Sequence, residues 1–125
     1  MTSNKDDVFG FENLEVWRKA VAFASRIYKL TSPFPRQEAF GLTMQLRRAA
    51  VSVSANIAEG NSRSTGKDKS RFLEIAYGSL SEVMSLLRVA LEVGFVCEND
   101  LSSARSEAIV ISRMLSGLRR AVSEA

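Results

Sequence analysis

Apolar residues return along most of this chain at alternating intervals of three and four, the spacing that lays one stripe along an α-helix. Over residues 14–30 the stripe is Val16, Ala20, Phe23, Ile27 and Leu30. The run TSPFP at 31–35 interrupts it, because each proline disfavours helix in the residue before it. A second helical pattern occupies 36–59 and is predicted to stop at Gly60, a residue suited to the position just past a helix end. The polar connector NSRSTG follows, with Thr65 placed to cap a third helix and Asp68 near its first amides. That third helix, about 66–93, carries two neighbouring apolar seams. One contains Phe72, Ala76, Ser79, Val83, Leu86, Ala90 and Val93; the other contains Leu73, Tyr77, Leu80, Met84, Leu87 and Leu91. Gly94 ends it, and Asn99 or Asp100 is expected to cap a fourth helix built on Leu101, Ala104, Ala108, Ile111, Leu115, Leu118 and Val122. No stretch keeps the strict alternation of a half-buried strand. The pattern predicts an all-α, antiparallel up-down-up-down four-helix bundle. Residues 11–125 form its single domain, behind a flexible polar segment at 1–10.

The second helix is the informative one. At 100° per residue, Leu42, Leu46, Ala49, Val53 and Ile57 share a band about 80° wide that faces the core. Gln45, Arg48, Ser52, Asn56 and Glu59 share a second band, also about 80° wide. The remaining side holds Phe40, Met44, Arg47, Val51, Ser54 and Ala58. Between positions 39 and 58 only Arg47 and Arg48 are charged, whereas a helix in an isolated bundle shows water a face of Lys and Glu. An apolar stripe away from the core therefore predicts burial against another copy of the chain. The polar stripe has two readings. Its members bond one another and the backbone to set helix register, or they line a cleft or central channel for a ligand.

Charge sharpens this picture because it is uneven. Residues 1–17 set Lys5 against Asp6, Asp7, Glu12 and Glu15, a net −3. Residues 18–71 set eleven Lys and Arg against Glu38, Glu59 and Asp68, a net +8, and residues 72–125 carry a net −2. A central block this basic attracts phosphates, although the same charge also serves as an ordinary solvated surface. Within it Arg63, Lys67, Lys69 and Arg71 gather around the start of the third helix, where backbone amides also favour anions. This cluster reads either as a solvated helix start or as a contact with a phosphate backbone.

Chemistry is constrained by what the composition lacks. With no histidine and one cysteine, the His-based triads, the zincin motif and multi-cysteine metal sites are all ruled out. No catalytic residue, metal or cofactor is expected. The stretch GNSRSTGKD at 60–68 fails as a phosphate loop, because five residues separate its glycines and Asp68 follows Lys67. Cys97 reads as a half-buried thiol; Phe9, Phe11 and Trp17 read as core or interface anchors. The polar start lacks the apolar region of a secretory signal, and no apolar run is long enough to span a bilayer. The expectation is a cytoplasmic protein with no membrane partner.

The residues themselves form a recognisable order. They begin with Phe11-x-x-Leu14-x-Val16-Trp17 and Phe34-Pro35-x-x-Glu38-x-Phe40-Gly41-Leu42. The strongest stretch is Gln45-Leu46-Arg47-Arg48-Ala49-Ala50-Val51-Ser52, followed by Ala55-Asn56-Ile57-Ala58-Glu59-Gly60 and by Ala76-Tyr77-Gly78-Ser79-Leu80-Ser81-Glu82. Over about residues 9–96 the chain resembles the bacterial four helix bundle protein family, first noticed as reading frames within intervening sequences of large-subunit ribosomal RNA genes. Tyr77 stands where that family commonly has a small residue, and the fourth helix matches only in general pattern. The resemblance implies a bundle that assembles as a homopentameric ring, similar to the nucleic-acid-binding accessory protein of diversity-generating retroelements. It implies no enzymatic activity, and the rRNA association describes where the gene sits.

The combined expectation is a non-enzymatic homo-oligomer that binds RNA or DNA through phosphates. Arg47, Arg48, Arg63, Lys67, Lys69 and Arg71 are its candidate contacts. The alternative is a scaffold that docks another protein and binds no nucleic acid.

Overall fold

The computed structural model describes residues 9–124 of the chain. Among them are four α-helices and no strand: α1 at Glu15–Thr31, α2 at Leu42–Asn61, α3 at Gly66–Glu92 and α4 at Glu98–Glu124. Short 3-10 turns at Gly10–Asn13 and Arg36–Glu38 precede α1 and α2. The segment expected to be flexible falls mostly at 1–8, outside the described residues; its last residue, Gly10, opens the first turn.

One hydrophobic core draws on all four helices. Phe23 and Ile27 enter it from α1, Leu46, Val53 and Ile57 from α2, Val83 and Leu87 from α3, and Ile111 and Leu115 from α4. Each such side chain contributes about 1.5–3 kcal/mol of transfer free energy, so the 3–4 spacing is what holds the helices together. α2 lies against α1 and α3, while α4 lies against α3 and α1. Arg26 and Glu107 add an ion pair between α1 and α4.

The apolar stripes of α1, α2 and α4 turn inward as their spacing predicts. On α3 the outcome differs, because the two seams do not both enter the core. Leu73, Ala76, Leu80, Val83, Leu87 and Ala90 are buried, a ridge drawn from both seams, whereas Tyr77 and Val93 are exposed. A core reached from one side selects the positions midway between two adjacent stripes.

Three boundaries also differ, each for a local reason. α2 starts at Leu42 and not at 36, because the Glu38 carboxylate accepts the Leu42 amide at 3.1 Å and occupies the helix start. Gly41 tolerates this closeness; a Cβ there would lie 3.0 Å from the Glu38 carboxylate oxygen. Gly60 is not a stop, since α2 continues to Asn61 and Gly60 is buried. Its missing side chain lets α3 approach, as a Cβ would meet the Phe72 Cβ at 3.1 Å and the Lys69 carbonyl at 3.2 Å. At α4, neither Asn99 nor Asp100 is the cap residue. The helix starts at Glu98, and Asp100 reaches back to the Cys97 amide at 3.5 Å.

Two expected termini hold. Thr65 caps α3, its hydroxyl accepting the Asp68 amide at 3.1 Å. Gly94, at φ +85°, closes the same helix with Gly94 N–H on the Leu91 carbonyl at 3.0 Å and Phe95 N–H on the Ala90 carbonyl at 2.8 Å. That turn directs Phe95 onto Phe34, with ring centroids 5.3 Å apart, and leaves Cys97 exposed where a half-buried thiol was expected.

Gly66, the first residue of α3, has the Val122 carbonyl in the space a Cβ would fill. Gly78, midway along the helix, has nothing within 4 Å of that space. Gly66→Ala is expected to lower stability by about 1–3 kcal/mol, and Gly78→Ala to raise it by about 0.5–1 kcal/mol. Urea unfolding midpoints of the two variants check this pair of opposite signs.

Candidate nucleic-acid interface

The polar stripe of α2 does not act as one unit. Ser52 and Ser79 share a hydrogen bond of 2.8 Å between their hydroxyls, which joins α2 to α3. Asn56 turns back on the same spot, its amide donating to the Ser52 carbonyl at 2.8 Å and to the Ser52 hydroxyl at 3.0 Å. Glu59 pairs with Arg63 one turn on, at 2.9 Å. Gln45 and Arg48 are exposed, and neither side chain has a hydrogen-bond or ion-pair partner among the described residues. The middle of the stripe thus sets helix register, while its first two members face outward.

Arg47 and Arg48 are adjacent in sequence and have different surroundings. Arg47 Nε donates to the Thr31 hydroxyl at 2.9 Å, and its Nη2 donates to the Tyr28 carbonyl at 3.3 Å. Its guanidinium also lies 4.5 Å from the Tyr28 ring centroid. Thr31 is the buried polar side chain of the core, donating in turn to the Ile27 carbonyl at 2.8 Å. Arg47 therefore satisfies orphan groups at the end of α1, and its charge is committed to the fold. Arg48 is left free.

The basic cluster divides in the same way. Arg63 holds Glu59 and covers the Phe72 ring at 4.6 Å. Lys69 Nζ donates to the Asn61 carbonyl at 3.2 Å, which seals the end of α2. Lys67 and Arg71 are exposed and unpaired among the described residues, one helical turn apart on the outside of α3. The end of α4 joins them there, because Gly66 abuts Val122 and the Ser123 hydroxyl donates to that of Ser70 at 3.4 Å. Arg119 pairs with Glu74 at 3.0 Å, and the exposed Arg120 follows it. These α4 arginines were missed by reading along the chain, since they lie about fifty residues from Lys67 and Arg71. The seven-residue spacing of Arg113 and Arg120, opposite the buried Ile111 and Leu115, was the available signal.

Elsewhere, the outer side of α2 and the end of α1 form a groove of about 600 Å³, lined by Tyr28, Met44, Arg47, Arg48 and Val51 among others. Beside it Phe40 is 88% exposed, and Tyr28 and Val51 are 45% and 42% exposed. Near the N-terminus Phe11 stacks edge-on against Trp17 at 4.9 Å, whereas Phe9 remains 60% exposed. Among the described residues no group of three or more His, Cys, Asp or Glu converges in a way that could hold a metal, and no helix is long and apolar enough to cross a membrane.

The profile of the 23S rRNA-intervening sequence proteins matches residues 12–117. The chain belongs to that family. The match runs into α4, beyond the motif order that ends near residue 96. No curated protein matches the sequence. A crystal structure of a protein with unknown function from the S23 ribosomal protein family, from Bacteroides thetaiotaomicron VPI-5482, is similar. The two superpose with a TM-score of 0.74 at 24% identity, over 83% of this chain and 97% of that one, a likeness of fold.

In this member of the family the strongest motif is mostly a packing motif. Leu46, Ala49 and Ala50 are buried, Arg47 holds α1, and Ser52 holds α3. Only Gln45, Arg48 and Val51 are left exposed to meet anything else. Arg47→Ala is accordingly expected to cost about 1.5–3 kcal/mol, and Arg48→Ala less than about 0.5 kcal/mol. Equilibrium denaturation of the two variants distinguishes the adjacent arginines.

Proposed function

We propose that the chain is a non-enzymatic, antiparallel up-down-up-down four-helix-bundle protein that assembles with copies of itself and binds RNA or DNA through phosphates. The observation that carries this reading is a division of the surface. Lys67, Arg71 and Arg120, unpaired among the described residues, collect around the start of α3, away from the apolar groove beside Phe40 and Val51. An exposed apolar groove on α2 suits burial against a sister copy. Assembly leaves the cationic ends outside and repeats them around a symmetry axis, which raises the local potential that a polyphosphate meets. A pentameric ring is the arrangement that the family resemblance favours, and a cytoplasmic setting is where such a partner lies.

Antiparallel packing is supported by the contacts between α3 and α4, where Ser70 meets Ser123 and Glu74 meets Arg119. One number rises along the chain as the other falls. Of the six candidate phosphate contacts, Lys67 and Arg71 are the strongest, whereas Arg48 lines the α2 groove that a sister copy would cover. Arg47, Arg63 and Lys69 spend their charge inside the fold. Such contacts position a backbone and read no base sequence.

The alternative, a scaffold for a different protein, draws on the same α2 groove. Binding of labelled RNA and DNA between about 50 and 200 mM salt separates the two. The proposal predicts affinity that falls steeply with salt, and Lys67→Glu with Arg71→Glu flattens the slope by about 1 for each cation removed. Absence of binding at the lowest salt, or affinity indifferent to salt, favours the scaffold.

A further inference from the structure

The side of α3 that faces α4 carries a feature outside the basic cluster. Between the two helices lies a groove of about 270 Å³ lined by Tyr77, Ser81, Met84, Arg105, Ile109 and Ser112, among others. Tyr77 is 41% exposed there, and its hydroxyl has no hydrogen-bond partner among the described residues. Arg105, on the opposite wall, is exposed and likewise unpaired. An aromatic ring between small hydroxyl-bearing residues and a free guanidinium suits a flat ligand with polar edges and a nearby negative charge.

Cations near this side come from both helices. The contacts of Ser70 with Ser123 and of Glu74 with Arg119 mark which sides of α3 and α4 meet. At about 100° per residue, Lys67 and Arg71 lie just outward of that line on α3. Arg113 and Arg120, seven residues apart, lie about 100° and about 80° round from it on α4, on the side away from the core, and both are exposed. Glu74 is engaged by Arg119 at 3.0 Å and Glu92 by Arg88 at 3.3 Å, while the exposed Glu82 lies about 20° round α3 from Arg71 and farther along it. Of the cations unpaired among the described residues, Arg105 shares the groove with Tyr77, and Arg71 and Lys67 lie about 9 Å and about 15 Å along α3 from it.

We infer that the α3–α4 groove is a binding site for single-stranded nucleic acid, in which Tyr77 stacks against a base while Arg105 and the Lys67–Arg71 end hold the backbone. This rests on the nucleic-acid reading above and goes further, because stacking requires a base free of its partner, and a duplex offers none. A stacking platform beside cationic side chains is the arrangement that binds single strands without reading sequence.

The test uses fluorescence anisotropy on the full chain with labelled strands of about 12 nucleotides, as RNA, as DNA and as duplex. Tyr77→Ala is expected to weaken single-strand binding about tenfold, and Tyr77→Phe, which keeps the ring, to change it less than about twofold. Duplex binding changes less than about twofold in both variants, and thermal melting shows whether Tyr77→Ala still folds. Arg105→Gln is a second probe at the groove, expected to weaken single strands several-fold with a shallower salt dependence. The sugar whose single strand binds more tightly identifies the natural source. Single-strand affinity unmoved by Tyr77→Ala and Arg105→Gln, alongside a loss with Lys67→Glu and Arg71→Glu, overturns this site and leaves the general reading standing. Failure of every strand to bind overturns both.

Discussion

The closeness of α2 to α3 is the constraint on which the rest of the molecule depends. The two helices meet closely at Gly60, where a Cβ would press on Phe72 and the Lys69 carbonyl, and the buried Ala49 and Ala76 lie one turn from the Ser52–Ser79 contact. At that distance even short side chains reach across, so Ser52 and Ser79 bond directly and Asn56 closes over them. A part-buried hydroxyl pair is a directional contact in a seam otherwise held by non-directional burial. It fixes the rotation of both helices, and with it the direction of every residue outside the seam. Arg48, Val51 and Phe40 lie outside it on one side of the molecule, and Tyr77, Lys67 and Arg71 on another.

That rotation sorts the charges. Arginine and lysine are numerous in the middle of the chain, but half of the candidate cations there close helix ends or shield rings. Arg47 on Thr31 and Tyr28, Lys69 on Asn61, and Arg63 on Glu59 and Phe72 all satisfy groups that the fold itself leaves open. What remains for a partner away from the α2 groove is a smaller set, Lys67 and Arg71, joined by Arg105, Arg113 and Arg120 from α4, while Arg48 lines that groove. On the proposed reading the apolar side serves the sister copy and the basic side serves the nucleic acid, so neither interface competes with the other.

Helix positions were largely legible in the chain because Val16 to Leu30 and Leu101 to Val122 repeat at three and four without interruption. The departures come from contacts that no local window contains. Glu38 looks like a helix interior residue until its carboxylate is seen on the Leu42 amide. Gly60 looks like a terminator because its neighbour Phe72, which explains it, is in another helix. Both seams of α3 are apolar, and only the approach of the other helices decides that Leu80 goes in while Tyr77 stays out. The site was harder still. Arg47 and Arg48 are indistinguishable by type, and their difference is made by Thr31, sixteen residues away. The α4 arginines sit in a segment whose net charge is negative, and only packing brings them beside Lys67 and Arg71.

The proposed assembly relies on the outer side of α2 being covered by another copy, which concentrates the remaining cations. The mass of the full chain in solution, by sedimentation equilibrium at micromolar concentration, addresses that directly. The account predicts a particle several times the 13.8 kDa of one chain, with a pentamer as the expected multiple. A single species of 13.8 kDa across that range contradicts it.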